Sequence, residues 1–298
     1  MSTGITQKKS LKEIISDEYK KCAVDPIHFM KKYCMIQHPV RGKIPFQLFP
    51  FQEKTLTEFA ANRFNIVLKS RQTGISTLCA GFALWKMLFN SDFNVLVIAT
   101  KQDVAKNLVT KVRVMNQYLP SWLKQTTVED NKLSLRYSNG SQVKATSAAS
   151  DAGRSEALSL LVFDEAAFID NIEDIWVSAQ STLSTGGNAI ILSTPNGVGN
   201  FFHRTWVSAE DGTNGFNTIR LHWTVHPERN QAWRDEQQIL LGAKGAAQEC
   251  DCDFVSSGDS VIDPQLLMFY RETFVQEPLD KTGFDGNLWK WEYTHYQK

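Results

Sequence analysis

Two acids side by side at the end of an apolar run, Leu160-Leu161-Val162-Phe163-Asp164-Glu165, are the first residues whose pattern points to chemistry. A buried strand has no hydrophobic reason to end in Asp-Glu. Oxygen ligands at a strand tip suit magnesium, and a second carboxylate beside them can act on water. This assigns Asp164 to the metal and Glu165 to the water. Upstream, the short apolar run Asn65-Ile66-Val67-Leu68-Lys69 leads into Ser70-Arg71-Gln72-Thr73-Gly74 and then a long apolar stretch, Thr77–Phe89. Strand, loop and helix in that order bind phosphate, because loop N–H groups point inward and the helix N-terminus adds partial positive charge. The usual phosphate loop is Gly-x4-Gly-Lys-[Ser/Thr]. Here Ser76 takes the magnesium hydroxyl position and Gly74 allows close backbone approach. The first glycine is absent, and Ile75 stands where the lysine belongs. The β- and γ-phosphates need a cation, and Lys69 and Arg71 at the mouth of the loop are the ones at hand. A third stretch, Ile190-Ile191-Leu192-Ser193-Thr194-Pro195-Asn196-Gly197, reads equally well as a buried strand whose polar end senses a γ-phosphate and as a strand followed by a turn.

These residues need a scaffold. Strands at about 65–69, 94–99, 158–163 and 189–193 alternate with helices at 51–64, 77–89 and 104–118, which predicts an α/β domain with a largely parallel sheet. Leu133–Tyr137 and Ser141–Ala145 flank Ser138-Asn139-Gly140, a hairpin signal. Residues 11–35 read as two helices separated by Asp25-Pro26, cap and first-turn proline. Past about residue 216 the pattern shifts to short helical stretches and loops. The last 45 residues are acidic and aromatic, and Trp289-Lys290-Trp291 there suggests a linker or packing segment.

Composition narrows the class. The 298 residues are 42% hydrophobic and 21% charged, as in folded chains. Thirty-two basic and 32 acidic groups cancel, which excludes a strongly basic whole-chain nucleic-acid binder but not a local patch. The first 80 residues carry 13 basic and 6 acidic groups, so a basic patch there is one candidate for nucleic-acid contact and a solvated helix face the other. No apolar run is long enough for a membrane span, and the N-terminus lacks the apolar core of a signal peptide. Five cysteines without Cys-x-x-Cys spacing suggest reduced thiols in a cytosolic compartment.

The three motifs, in this order and spacing, resemble the ATPase half of the large terminases of tailed phages, above all the T4-like ones; the resemblance covers about residues 25–260. Phe51-Gln52 is similar to the family's adenine motif. Lys69 followed by Ser70-Arg71-Gln72-Thr73-Gly74-Ile75-Ser76-Thr77 resembles its deviant phosphate loop with the lysine at the entrance. Phe163-Asp164-Glu165 resembles its magnesium motif, and Ser193-Thr194-Pro195-Asn196-Gly197 its coupling motif. Ser150-Asp151-Ala152-Gly153-Arg154 resembles the segment where related motors place a trans-acting arginine. Phe254–Gly258 resembles the segment that closes the ATPase region.

The resemblance implies a P-loop core of the RecA-like type over 46–215, with a smaller lid lobe built from 1–45 and 216–298. It implies ATP and Mg2+ as cofactors, with magnesium on Ser76 and Asp164. Lys69 and Arg71 would neutralise phosphate charge, and Arg154 would reach in from a neighbouring subunit. The implied partners are double-stranded DNA, the portal and prohead, the small terminase subunit and other copies of the chain in a ring, pentameric by family, in the host cytoplasm. Only 40 residues follow Gly258, so the nuclease domain of complete terminases is expected to be absent. Two other functions stay open: a helicase-like ATPase, for which too little chain remains to build a second RecA-like lobe, and a non-catalytic nucleotide-binding assembly module, which Ile75 favours and the Asp-Glu pair opposes.

Overall fold

The apolar runs that carry the motifs are neighbours in one eight-stranded sheet. In the computed structural model, which describes residues 9–38, 40–148, 157–184, 186–258, 269–270, 273–274, 280–282 and 288–290, the chain opens with helices α1 (Leu11–Val24) and α2 (Pro26–Tyr33). A small antiparallel pair follows, β1 (Met35–His38) with β2 (Gly42–Pro45), and then α3 (Pro50–Ala61). The sheet is built from β3 (Phe64–Lys69), β4 (Asn94–Ala99), β5 (Thr127–Asp130), β6 (Ser134–Tyr137), β7 (Gln142–Ser147), β8 (Leu160–Asp164), β9 (Asn188–Ser193) and β10 (Asn217–Leu221). Helices α4 (Ile75–Phe89), α5 (Gln102–Tyr118), α6 (Ile172–Leu183) and α7 (Phe201–Glu210) connect them.

The strand order is β10-β3-β9-β8-β4-β7-β6-β5. The first six run parallel; β6 and β5 are added antiparallel at one edge. Both faces of the central strands are covered, so β3, β8 and β9 are buried along almost their whole length and read as continuous apolar runs. Their alternate residues serve two cores. Val67, Val162 and Leu192 face the cluster with α4 and α5; Ile66, Phe163 and Ile191 face the one with α6 and α7.

The described part of the expected lid segment 1–45 shares the core of the sheet. Phe29 and Met30 on α2 are fully buried in the cluster that holds α4. Gly81 lets Met30 approach: a Cβ at Gly81 would lie 2.9 Å from the Met30 thioether. At the other end, β10 lies beyond residue 215, where the core was expected to stop, and pairs with β3 from Asn217↔Asn65 to Leu221↔Lys69. The ten-residue α7 makes the crossover to this strand, a helix and strand that the sequence reading did not assign. The expected hairpin forms, with Gly140 at φ +84° in its turn. α8 (Gln231–Glu249) bends at Gly242, and the short α9 (Phe254–Ser257) follows. Residues Met1–Ser257 form one compact unit and Gly258–Lys298 another. In the second, β11 (Asp280–Thr282) and β12 (Leu288–Lys290) pair antiparallel.

Candidate nucleotide site

Three adjacent strands, β3, β9 and β8, end at the same edge of the sheet, and each ends in one of the sequence motifs. Ligands of open α/β sheets bind at this carboxyl edge. From β3 the chain turns through Ser70–Gly74 into α4. Gly74 caps the helix at φ +75°, and a Cβ there would lie 2.7 Å from Gln52 Nε2. Gln72 also has positive φ, +58°. Among the described residues, the N–H groups of Gln72, Thr73 and Gly74 have no acceptor. Three free donors in a row ahead of a helix N-terminus make an anion cradle.

Ile75 is 1% exposed and belongs to the core cluster, so it supplies no charge to the loop. Lys69, at the tip of β3, does reach the centre. Its Nζ donates to Glu165 Oε1 at 3.0 Å, with the lysine side chain 7% exposed. Arg71 makes no bond to Glu165 or Asp164: its guanidinium pairs with Glu249 at 3.5 Å and is largely exposed, and the Glu249 carboxylate lies within electrostatic reach of Glu165 and Lys69. Ser76 Oγ donates to Asp164 Oδ1 at 3.2 Å. Burial raises the Asp164 carboxyl above its usual value, against the opposing pull of Lys69. A buried carboxylate with one hydroxyl partner and a raised pKa is a site that a hard cation would relieve. Ser76 and Asp164 thus fit magnesium by donor type and proximity. Glu165 sits in the left-handed region, φ +57°, which turns its side chain off the end of β8.

Phe51-Gln52 divides its labour. Gln52 is buried with both of its polar atoms paired: Nε2 donates to Thr73 O at 2.9 Å and Oε1 accepts from Phe49 N at 3.0 Å. It braces the loop and also borders a cavity of about 730 Å³, lined too by Phe49, Gln72, Thr73, Gly74, Thr77 and His226. Phe51 does not line this cavity; it stacks behind Phe49, ring centres 5.8 Å apart. Phe49 meets the His226 ring at 4.7 Å, and burial lowers the His226 pKa, which favours the neutral ring. The two rings, tilted 57° to one another, give an uncharged aromatic corner that a purine could pack against. A second cavity, about 410 Å³, shares Thr77 and is lined by Lys111 of α5, whose charge also acts on Asp164.

The coupling segment is tied to the magnesium strand. Ser193 Oγ accepts from Ala167 N at 3.1 Å, and Asn196 Nδ2 donates to Ala167 O at 3.1 Å. Gly197 N donates to Ser257 Oγ at 3.0 Å, which links the segment to α9. Thr194 and Pro195 are buried between these anchors. Arg154, with Ser150–Gly153, lies outside the described residues.

Sequence reasoning missed Phe49, His226, Lys111, Arg229 and Glu249. Arg229 donates to Ser70 Oγ and to the carbonyls of Arg71 and Gln72. The Glu249 carbonyl accepts from Arg71 N at 2.7 Å and from Ser70 Oγ at 3.2 Å. The nearest signal was His226-Pro227-Glu228-Arg229-Asn230, a turn and helix cap, with nothing in it to announce contact with a loop about 157 residues earlier.

Comparison with known proteins bears on the fold and the family. The chain is similar to the ATPase domain of the Thermus phage P74-26 large terminase at 22% identity, covering 67% of this chain and 92% of that one with a TM-score of 0.55. It is similar to the large terminase of a thermophilic bacteriophage in complex with ADP at 13% identity, covering 68% and 52%, TM-score 0.56. It is also similar to the HK97 bacteriophage large terminase at 17% identity, covering 76% and 47%, TM-score 0.56. The chain thus spans about half of the last two proteins. At these identities the likeness establishes the fold, a mostly parallel sheet flanked by helices. The family follows from the sequence itself: residues 66–269 match the terminase large subunit, T4likevirus-type, N-terminal, and the chain belongs to that family.

Proposed function

We propose that the chain is the ATP-hydrolysing motor region of a DNA-packaging terminase. One observation carries this reading. Lys69, Ser76, Asp164 and Glu165 converge from β3, α4 and β8 beside a loop with three unsatisfied N–H groups. A base would stack against Phe49 and His226, and the phosphates would enter the cradle at Gln72–Gly74. Magnesium, held by Ser76 and Asp164, would neutralise charge on the phosphate oxygens. Lys69 is the cation nearest this centre. A triphosphate offers it a stronger partner than Glu165, so nucleotide entry would draw Lys69 from the glutamate. The freed Glu165 would orient the attacking water. The base is thereby held in check until substrate arrives. Arg71 would leave Glu249 to cover the phosphates, and Arg154 would act from a neighbouring subunit.

Movement would start at Asn196 and Ser193, because their bonds to Ala167 pass any shift at Glu165 to the coupling segment and, through Ser257, to α9. The partners proposed are double-stranded DNA, portal and prohead, the small terminase subunit and further copies in a ring, in the host cytoplasm. Among the described residues no helix is long and apolar enough to cross a membrane. Contact with DNA would be electrostatic and indifferent to sequence. A non-catalytic assembly module is the second reading, favoured by the burial of Ile75 where a lysine is usual. Magnesium-dependent phosphate release, measured with and without proheads and DNA, separates the two. Turnover in either condition supports the motor; none in both supports the module.

A further inference from the structure

We propose that Arg229 is a positioning residue that sets the phosphate loop from outside, so that its N–H groups face the nucleotide. Its guanidinium donates to Ser70 Oγ at 3.0 Å, to Arg71 O at 2.9 Å and to Gln72 O at 3.2 Å. The carbonyl of one residue and the N–H of the next lie in the same trans peptide plane and point in opposite directions. Holding the carbonyls of Arg71 and Gln72 outward therefore turns the N–H groups of Gln72 and Thr73 inward. Gln52, on the border of the cavity, fixes the next peptide plane through its bond to Thr73 O, and with it the direction of the Gly74 N–H. The three donors so oriented all lack an acceptor among the described residues, and they run on into the free N–H groups of Ile75 and Ser76 in the first turn of α4. The clamp also explains the left-handed backbone at Gln72, a conformation that a non-glycine residue keeps only when its surroundings impose it.

Arg229 is built for this task. Its guanidinium stacks on Trp233 with 4.3 Å to the ring centre, which fixes the plane of the fork. Among the described residues it pairs with no carboxylate, so its donors are spent on the loop. A lysine could not serve three acceptors in that plane. Because Arg229 and Trp233 belong to the segment that continues into α8, the clamp joins that segment to the nucleotide site. It holds backbone carbonyls on the far side of the loop and does not touch the reacting phosphate.

This inference rests on reading the loop as a phosphate cradle, and its test has one arm that needs no nucleotide. Arg71–Gln72 is itself a tryptic bond. In nucleotide-free protein, trypsin cleavage after Arg71, scored by fragment mass against cleavage after exposed Lys124, should accelerate about tenfold or more in Arg229→Ala. Arg229→Lys should fall between. The second arm is the affinity for a fluorescent, non-hydrolysable ATP analogue with magnesium. Arg229→Ala should weaken it about tenfold to hundredfold, the scale for removing a group that orients a binding group, with partial recovery in Arg229→Lys and melting temperatures close to wild type. Wild-type cleavage in Arg229→Ala overturns the clamp. Faster cleavage with unchanged affinity, or affinity losses that track melting temperature across both variants, overturns the positioning role. Failure of wild type to bind the analogue sinks the nucleotide reading, while the cleavage arm still decides the clamp.

Discussion

Replacing Glu165 by glutamine should tighten ATP binding while removing turnover. Lys69 Nζ donates to Glu165 Oε1 at 3.0 Å, and the lysine side chain is 7% exposed against 35% for the glutamate. Nucleotide entry must break this pair. A hydrogen bond to a charged acceptor is worth ~1.5–3 kcal/mol net and a neutral one ~1 kcal/mol. Glutamine keeps the bond and drops the charge, and the glutamate's exposure puts the difference near ~1 kcal/mol. At ~1.4 kcal/mol per tenfold, binding should tighten by about fivefold. Turnover should fall by about 10²–10⁴, the usual contribution of a positioned base. The assay pairs phosphate release with titration of a fluorescent ATP analogue. Weaker binding in Glu165→Gln, or turnover within a few-fold of wild type, would refute the restraint of Glu165 by Lys69.

Truncation of Lys69 or Arg71 to alanine should cripple phosphate release at any protein concentration, whereas Arg154→Ala should matter chiefly in the assembled ring, by about 10³–10⁵ in rate. Asp164→Asn should raise the melting temperature of the nucleotide-free protein and abolish magnesium-dependent turnover. Burial raises the Asp164 carboxyl, so its charge weighs against the fold at neutral pH, and scanning calorimetry would read the gain. Ile75→Lys should cost about 3 kcal/mol or more in denaturant unfolding, because the side chain is buried in the core, and should not raise turnover. Lys32, His28 and Tyr33 all donate to Glu18, which holds its carboxyl at about 2. A lowered folded-state pKa stabilises above the unfolded value and is lost as pH falls toward the folded one. Glu18→Gln should therefore lower stability at pH 7 by about 2 kcal/mol, and the gap should close between pH 4.5 and about 2.

The strands that bear the motifs were legible because burial on both faces writes them as unbroken apolar runs, and a run that ends in Asp-Glu has no packing explanation. The order of β3, β9 and β8 was not legible, since register between distant parallel strands leaves no local mark. The early turn of α4 was missed because Gly74 and Ile75 read as loop; the structure starts the helix at Ile75 and buries it. Phe51 was named for its type and neighbour, yet Phe49, one residue before α3 begins at Pro50, is the ring that lines the cavity, with Phe51 stacked against it. Arg229 and Glu249 were out of reach for another reason. Apart from Arg229 on Ser70 Oγ and the Arg71–Glu249 ion pair, their bonds involve loop carbonyls and N–H groups, and a backbone partner leaves no residue type in the sequence to match.

The central claim is that Lys69, and not a lysine in the loop, serves the phosphates once it has left Glu165. A crystal structure with Mg2+ and a non-hydrolysable ATP analogue tests this most directly. The account predicts Lys69 Nζ within hydrogen-bond distance of a β- or γ-phosphate oxygen, the metal on Ser76 and Asp164, and Glu165 turned to a water in line with the γ-phosphate. A triphosphate bound in the cradle with Lys69 still paired to Glu165, or a nucleotide bound elsewhere, would contradict it.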